Sequence, residues 1–172
     1  MGGALTTTLN YTKVTDIIED VIQQNPASNE TFLTKSNIAQ LDQFGISINA
    51  YLPLKKWWTF NLYSNVYNNR FRGTINGTYV DIAGTTFVGN VTSSFKFNKG
   101  WGLEVSGFYR SGGIDGVVVS QPMGAINFGA SKTVLKGKGT IRLNYRDPFH
   151  LQYFRGATKY GNVDASLHQP LG

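Results

Sequence analysis

The 172-residue sequence predicts an all-β fold, an antiparallel up-and-down transmembrane β-barrel with about eight strands present. Apolar and polar residues alternate with a period of two through most of the chain, which is typical of strands that have one apolar face. Charged residues make up only 15% of the sequence, below the roughly 25% of soluble domains. Short connections between the predicted strands alternate with long ones. Together these observations favour a membrane barrel over a water-exposed fold.

The first four predicted strands are each justified by one apolar face. They cover about residues 4–21, 32–52, 57–67 and 85–98. Their apolar positions are, in order, Leu5, Leu9 and Tyr11; Phe44, Ile46 and Ile48; Phe60, Leu62 and Val66; Phe87, Val91 and Phe95. The positions between them are mostly Asn, Gln, Ser, Thr and Tyr, so each segment fits a strand whose other face is polar.

The last four predicted strands follow the same rule, although the sixth is less regular. They cover about residues 101–110, 117–135, 140–146 and 159–168. Their apolar positions are, in order, Leu103, Val105 and Tyr109; Ile126, Phe128 and Ala130; Ile141, Leu143 and Tyr145; Val163, Ala165 and Leu167. Eight strands are enough to close a barrel whose interior is filled by side chains. We therefore keep open the hypothesis that the first strand pairs with the eighth.

The connections predict a barrel with two different ends. Tight turns are predicted at 53–56, 98–100 and 136–138, and long connections at 23–30, 72–84, 111–116 and 147–158. Outer-membrane barrels have short periplasmic turns and longer extracellular loops. Aromatic residues near the tight turns are the candidates for a membrane-interface belt: Tyr51, Trp57, Trp58, Phe95, Phe97 and Trp101.

The polar face predicts a wet interior instead of a water-exposed exterior. It carries Asn, Thr, Ser, Gly and Tyr with few of the Lys and Glu residues that usually cover a soluble surface. The candidates for lumen-facing residues are Asn61, Tyr63, Asn65, Glu104, Arg110, Arg142 and Asn144. Alternation alone also fits a soluble all-β ligand-binding module, with its apolar face inside, and this alternative stays open.

Composition excludes several function classes. The chain has no cysteine, neither histidine has a metal-ligand spacing, and no cofactor motif is present, so we expect no enzyme, no metal and no cofactor. The net charge is +6, but the lysines cluster at predicted turns, which indicates a lipid bilayer as the partner and no nucleic acid. There is no run of about 20 apolar residues and no signal peptide.

Three stretches resemble the late barrel strands of TonB-dependent receptors and related outer-membrane β-barrel proteins of the Bacteroidota. They are FNKGWGLEVSGFY at 97–109, the hairpin of PMGAINFGASK at 122–132 with LKGKGTIRL at 135–143, and LKKWW at 54–58. The resemblance implies that residues 1–172 are a single segment from the C-terminal part of a larger barrel for energised uptake of a bulky nutrient. It also implies that a parent chain supplies the remaining strands and a plug.

The sequence departs from this family at three points. Residues 1–172 contain no plug domain and no TonB-contacting segment. Arg146-Asp147-Pro148-Phe149 differs from the Asn-Asp-Ile-Phe type of sequence expected there, and no strand ending in an aromatic residue follows His168. Besides the receptor segment, two alternatives therefore remain: a small eight-stranded structural or pore-forming barrel, and the soluble module.

Overall fold

The computed structural model describes residues 2–24, 30–37, 40–75, 78–115, 118–160 and 163–170. These residues form antiparallel strands and two single turns of 3-10 helix, at Asn98–Gly100 and Leu135–Gly137. The strands are β1 (Ala4–Thr15), β2 (Ile18–Gln24), β3 (Thr31–Asn37), β4 (Gln40–Lys55), β5 (Trp58–Ile75), β6 (Thr78–Lys96), β7 (Trp101–Arg110), β8 (Gly113–Asp115), β9 (Val118–Ser120), β10 (Met123–Val134), β11 (Gly139–Arg146), β12 (Tyr153–Tyr160) and β13 (Val163–Pro170). None of the helical turns in this described part is long and apolar enough to cross a membrane.

Seven strands form the main sheet, in the order β1-β4-β5-β6-β7-β10-β11. All three predicted tight turns are confirmed: they join β4 to β5, β6 to β7 and β10 to β11. Lys99 and Lys136 lie in these turns with φ of 61° and 53°, the left-handed conformation that lets the chain reverse within a few residues. The tight turns therefore lie side by side along one end of the sheet.

The main sheet is longer than the predicted strands, because β5 and β6 run for 18 and 19 residues. The predicted long connection at 72–84 is wrong, since β5 continues to Ile75 and β6 begins at Thr78. A membrane-crossing strand needs only about 9–11 residues. This hairpin therefore extends beyond a bilayer at the end opposite the tight turns.

Two predicted strands are divided in the structure. The first, at 4–21, is β1 followed by β2, with Asp16 between them at a φ of 57°. The second, at 32–52, is β3 followed by β4. The β2–β3 hairpin pairs Ile18 with Asn37 and continues the β1–β4 hairpin away from the tight-turn end.

The C-terminal part differs most from the prediction. The predicted eighth strand at 159–168 is divided: Lys159 belongs to β12, residues 163–168 belong to β13, and these two strands pair with each other. They form a second sheet in the order β13-β12-β9-β8. The predicted sixth strand is likewise divided into β9 and β10. Within the described residues β1 and β11 are the edges of the main sheet, so the hypothesis that β1 pairs with the eighth strand is not supported.

Candidate functional site: a two-faced wall and the segment that covers it

Strand register divides the main sheet into an apolar face and a polar face. Paired residues of antiparallel strands lie on the same face, so the apolar face can be followed from strand to strand. Leu62 pairs with Ala50 and Val91, and Val105 pairs with Phe128. Apolar residues on this face remain exposed, as Leu9 at 68% and Leu143 at 71% illustrate. An exposed apolar surface of seven strands is suited to lipid contact.

The apolar band is tall enough to cover most of the hydrocarbon core of a bilayer. On β5 it runs from Trp58 to Val66, which is about 26 Å along the strand at about 3.3 Å per residue. A strand tilt of about 40° reduces this to about 20 Å along the membrane normal. Outer-membrane barrels have an apolar band about 25 Å tall. The band on this sheet is therefore deep enough to cover most of a hydrocarbon core.

Four of the aromatic residues proposed for the interface form one aromatic cluster at the tight-turn end. The cluster consists of Trp57, Trp58, Phe95 and Phe97, with stacked rings whose centroids are 5.9 to 6.3 Å apart. The indole Nε1 of Trp58 donates a 2.7 Å hydrogen bond to Oγ of Ser93. This bond satisfies the polar atom of a ring that otherwise lies among apolar groups.

The other two proposed interface residues lie apart from the cluster. Trp101 is on the apolar face beside Lys132, whose Nζ lies 4.7 Å from the ring centroid. Tyr51 is a correction, because it pairs with Ala4 and Asn61 and therefore belongs to the polar face. Proximity to a tight turn suggested a belt position for Tyr51, but the alternation along β4 places its side chain on the opposite side of the sheet.

All seven proposed lumen-facing residues lie on the polar face by register, on β5, β7 and β11. They are Asn61, Tyr63, Asn65, Glu104, Arg110, Arg142 and Asn144. Ser94 Oγ donates to Glu104 Oε2 at 3.2 Å, and a groove of 480 Å³ beside Glu104 is lined by Ser131, Arg142 and Asn144. A second groove of 310 Å³ lies between Tyr51, Asn61 and Tyr63. The polar face thus offers hydrogen-bonding groups along open grooves.

A segment that the sequence did not predict covers part of this polar face. We call residues 111–115 and 118–120 the covering segment. After β7 the chain leaves the main sheet at Ser111, whose backbone N–H donates to the carbonyl oxygen of Phe87 at 2.8 Å. The Ser111 hydroxyl accepts the N–H of Phe87 at 2.9 Å. The chain then forms β8 and β9 in front of β5 and β6.

The covering segment packs closely on the wall. Ile114 is only 7% exposed, and a Cβ added to Gly84 would meet its side chain at 2.7 Å. Asn69 Nδ2 donates to the carbonyl oxygen of Ile114 at 3.2 Å. Gly113 lies against the fully buried side chain of Thr86 in the same way, with no room for a Cβ. The sequence signal for this contact is one glycine in each layer, Gly84 opposite Ile114 and Gly113 opposite Thr86, which only the fold brings together.

Two further contacts hold the covering segment. Ser120 Oγ donates to the carbonyl oxygen of Gly113 at 3.2 Å and accepts from Arg110 Nη1 at 3.0 Å. Arg110, one of the proposed lumen residues, therefore anchors the segment to the end of β7. The result is a small buried region on the polar face at the end away from the tight turns.

Beyond the apolar band, the same outer face carries ion pairs. Arg70 donates to both carboxylate oxygens of Asp81, at 2.8 and 2.7 Å, and Arg72 pairs with Asp42. Hydrogen bonding from the Arg70 guanidinium holds the pKa of Asp81 below its ordinary value. These residues lie in the part of the strands that extends past the membrane span, so this surface is suited to water.

No group of three metal-ligating side chains occurs among the residues that the structure describes. The structure describes the side chain of only one of the two histidines, His150, which lies in the exposed connection after β11. Nothing in these positions brings together the groups that metal binding requires.

The sheet has an apolar face that covers most of a hydrocarbon core, a polar opposite face, tight turns at one end and long hairpins at the other. This combination defines an outer-membrane β-barrel protein. The chain belongs to the outer membrane protein beta-barrel family, whose family model matches residues 1–170. This confirms the predicted barrel class and the location in the bacterial outer membrane, and it overturns the soluble alternative. Comparison with curated proteins and with solved structures found no match.

Proposed function

We propose that this chain forms a section of the barrel wall of a TonB-dependent-type nutrient uptake receptor of the Bacteroidota, and that it has no enzymatic activity. The observation that carries the proposal is the covering segment on the polar face. An eight-stranded barrel has an interior just wide enough for side chains. A folded backbone segment on the inner face of β5 and β6 favours a wider barrel, such as that of the 22-stranded transporters.

The edges of the main sheet support the same proposal. β1 and β11 have only one neighbour each within the described residues, and their apolar side chains Leu9 and Leu143 are exposed. Unpaired backbone groups are not tolerated in the hydrocarbon core, so an edge at membrane depth needs a partner strand. We propose that further strands of a parent barrel pair with both edges. The lipid bilayer then contacts the apolar face, and a plug faces the polar grooves.

Cysteine cross-linking tests the wide barrel against the small closed one. The chain has no native cysteine, so an engineered pair gives an unambiguous bond. Leu9→Cys with Ile46→Cys joins registered partners of β1 and β4 and serves as the positive control. We expect this pair to cross-link in detergent, and Leu9→Cys combined in turn with Val163→Cys, Ala165→Cys or Leu167→Cys of the predicted eighth strand not to. Efficient cross-linking of any of these three pairs would mean that β1 meets the predicted eighth strand, and the small structural or pore-forming barrel would replace the proposal.

Uptake measurements in the source bacterium test the transport activity itself. Deletion of the gene should abolish protonophore-sensitive accumulation of at least one bulky nutrient from a panel of labelled metal chelates, oligosaccharides and peptides. Complementation with the wild-type gene should restore it. Unchanged accumulation across the panel, with a change only in passive entry of small solutes, would identify a passive pore and refute the receptor proposal.

A further inference from the structure

The positive charge of this protein is concentrated at the tight-turn end. Seven of its sixteen basic residues lie in 53–58, 96–101 and 132–139, and these stretches contain no Asp or Glu. We call these seven residues the basic rim: Lys55, Lys56, Lys96, Lys99, Lys132, Lys136 and Lys138. The other nine basic residues face ten acidic ones, so the rest of the chain has a net charge of −1. The whole net charge of +6 therefore originates at the basic rim.

The fold brings the basic rim together on one short arc. The three tight turns join six successive strands of the main sheet, and strands lie about 4.8 Å apart. The seven ammonium groups are thus distributed along roughly 24 Å of the barrel edge. All are exposed except Lys132, which is half-buried, and Lys96 lies on the polar face in the same groove as Glu104 of the neighbouring strand. The other six ammonium groups give this edge a positive potential at the tight turns.

The rim lies at the height of lipid headgroups. The aromatic cluster of Trp57, Trp58, Phe95 and Phe97 occupies the apolar face directly beside it, where aromatic rings mark the boundary between hydrocarbon and headgroups. Lys132 lies over the ring of Trp101, and its Nζ donates to the carbonyl oxygen of Lys99 at 2.7 Å. Its charge is therefore held at the edge of the apolar face instead of in the lumen.

We propose that the basic rim binds the phosphate groups of anionic phospholipids, such as phosphatidylglycerol, in the leaflet at the tight-turn end. A zwitterionic headgroup offers the rim no net charge, whereas each lysine near an anionic surface strengthens binding roughly fivefold. None of the three stretches that carry the rim contains Asp or Glu, so no carboxylate within them repels a lipid phosphate. The inference uses only the barrel class and the charge pattern, and it stands whether or not the receptor proposal holds.

Intrinsic fluorescence gives a selective test, because the only three tryptophans of the chain, Trp57, Trp58 and Trp101, all adjoin the basic rim. The full chain is folded in phosphatidylcholine vesicles that contain a small fraction of brominated phosphatidylglycerol or of brominated phosphatidylcholine, since bromine quenches nearby indoles. We expect the anionic lipid to quench about three times more strongly at equal fraction. The difference should vanish when salt shortens the Debye length to about 4 Å.

Two charge-matched variants distinguish a local rim from overall charge. Lys136→Gln with Lys138→Gln removes two rim charges without touching a tryptophan neighbour in sequence, and it should reduce the preference at least twofold. Lys13→Gln with Lys35→Gln removes two charges at the other end and should leave it unchanged. Circular dichroism and gel migration verify that all variants are folded. For a variant that does not insert into vesicles, the quenching is measured in zwitterionic detergent micelles that contain the same brominated lipids.

Three outcomes would overturn the proposal. Equal quenching by the two brominated lipids would mean that the rim does not select anionic headgroups. An equal loss in the Lys13/Lys35 variant would assign the preference to overall charge. Displacement of the lipid by millimolar inorganic phosphate would instead indicate a site for a free anion.

Discussion

Leu62→Arg tests which side of the wall meets lipid. Leu62 lies four residues from Trp58 and four from Val66, the two ends of the apolar band on β5. Each interval is about 13 Å along the strand and about 10 Å along the membrane normal. The side chain is therefore close to the bilayer midplane, where an arginine on the lipid face costs about 2–4 kcal/mol. That cost corresponds to a fall of about 30- to 1000-fold in the equilibrium between the folded and the unfolded chain.

Asn61→Arg is the matched control, because Asn61 is the adjacent residue and lies on the polar face. An arginine there faces water or polar groups, so we expect a change below about 1 kcal/mol. The assay is equilibrium refolding into lipid vesicles across a urea series, followed by gel mobility and tryptophan fluorescence. If Asn61→Arg destabilised the protein as much as Leu62→Arg, the assignment of the apolar face to lipid would be refuted.

Three further predictions concern the covering segment, the outer ion pairs and the aromatic cluster. Ile114→Ala should lower the local stability of the covering segment by about 2 kcal/mol and speed protease cleavage within it about 30-fold, whereas Val119→Ala, at a position 48% exposed, should change little. Equal effects of the two substitutions would contradict the packing of Ile114. Because the pKa of Asp81 is lowered in the folded protein, its ion pair stabilises the hairpin at pH values above the ordinary carboxyl pKa, and this stabilisation is lost as the pH falls through the pKa of the folded state. Carboxyl NMR titration should show a low midpoint for Asp81, and Arg70→Gln should raise it. An unchanged midpoint in the variant would disprove the coupling. Trp58→Phe removes an indole hydrogen bond and should lower the free energy of unfolding by about 0.5–1.5 kcal/mol, seen as a lower urea midpoint; no shift would mean that the bond is not formed in solution.

The sequence predicted the membrane-spanning part of the wall because lipid imposes a regular pattern there. Apolar side chains recur at every second position of β5 from Phe60 to Val66, apart from Ser64, and their partners on β4 and β6 follow the same phase. The tight turns were also predictable, since lysine and glycine interrupt this pattern. The prediction of an interface position for Tyr51 was wrong, and the same pattern shows why. Tyr51 lies two residues from Asn49 on the polar face, and only its proximity to a turn suggested the apolar face.

The extended hairpin was missed because the pattern reverses its phase outside the membrane. On β5 the outer face is apolar as far as Val66. Farther along the strand Arg70 and Arg72 lie on that outer face, while Phe71 lies on the opposite face. On β6 Asp81 faces outward and Val80 faces inward, again the reverse of the band. Two strands with opposite phases in their two halves give no single period, so the segment was predicted as a loop.

The phase reversal has one physical cause on each face. Outside the bilayer the outer face meets water, which favours the ion pairs of Arg70 and Arg72. On the inner face Phe71 and Val80 are buried, at 2% and 8% exposure, on the same side of the hairpin as Gly84, against which Ile114 of the covering segment packs. The covering segment therefore gives this inner face an apolar partner at Gly84, which favours apolar residues turned inward past the membrane. It also follows that the reversal, between Val66 and Arg70, marks the outer boundary of the hydrocarbon core, about one bilayer height from the aromatic cluster and the basic rim.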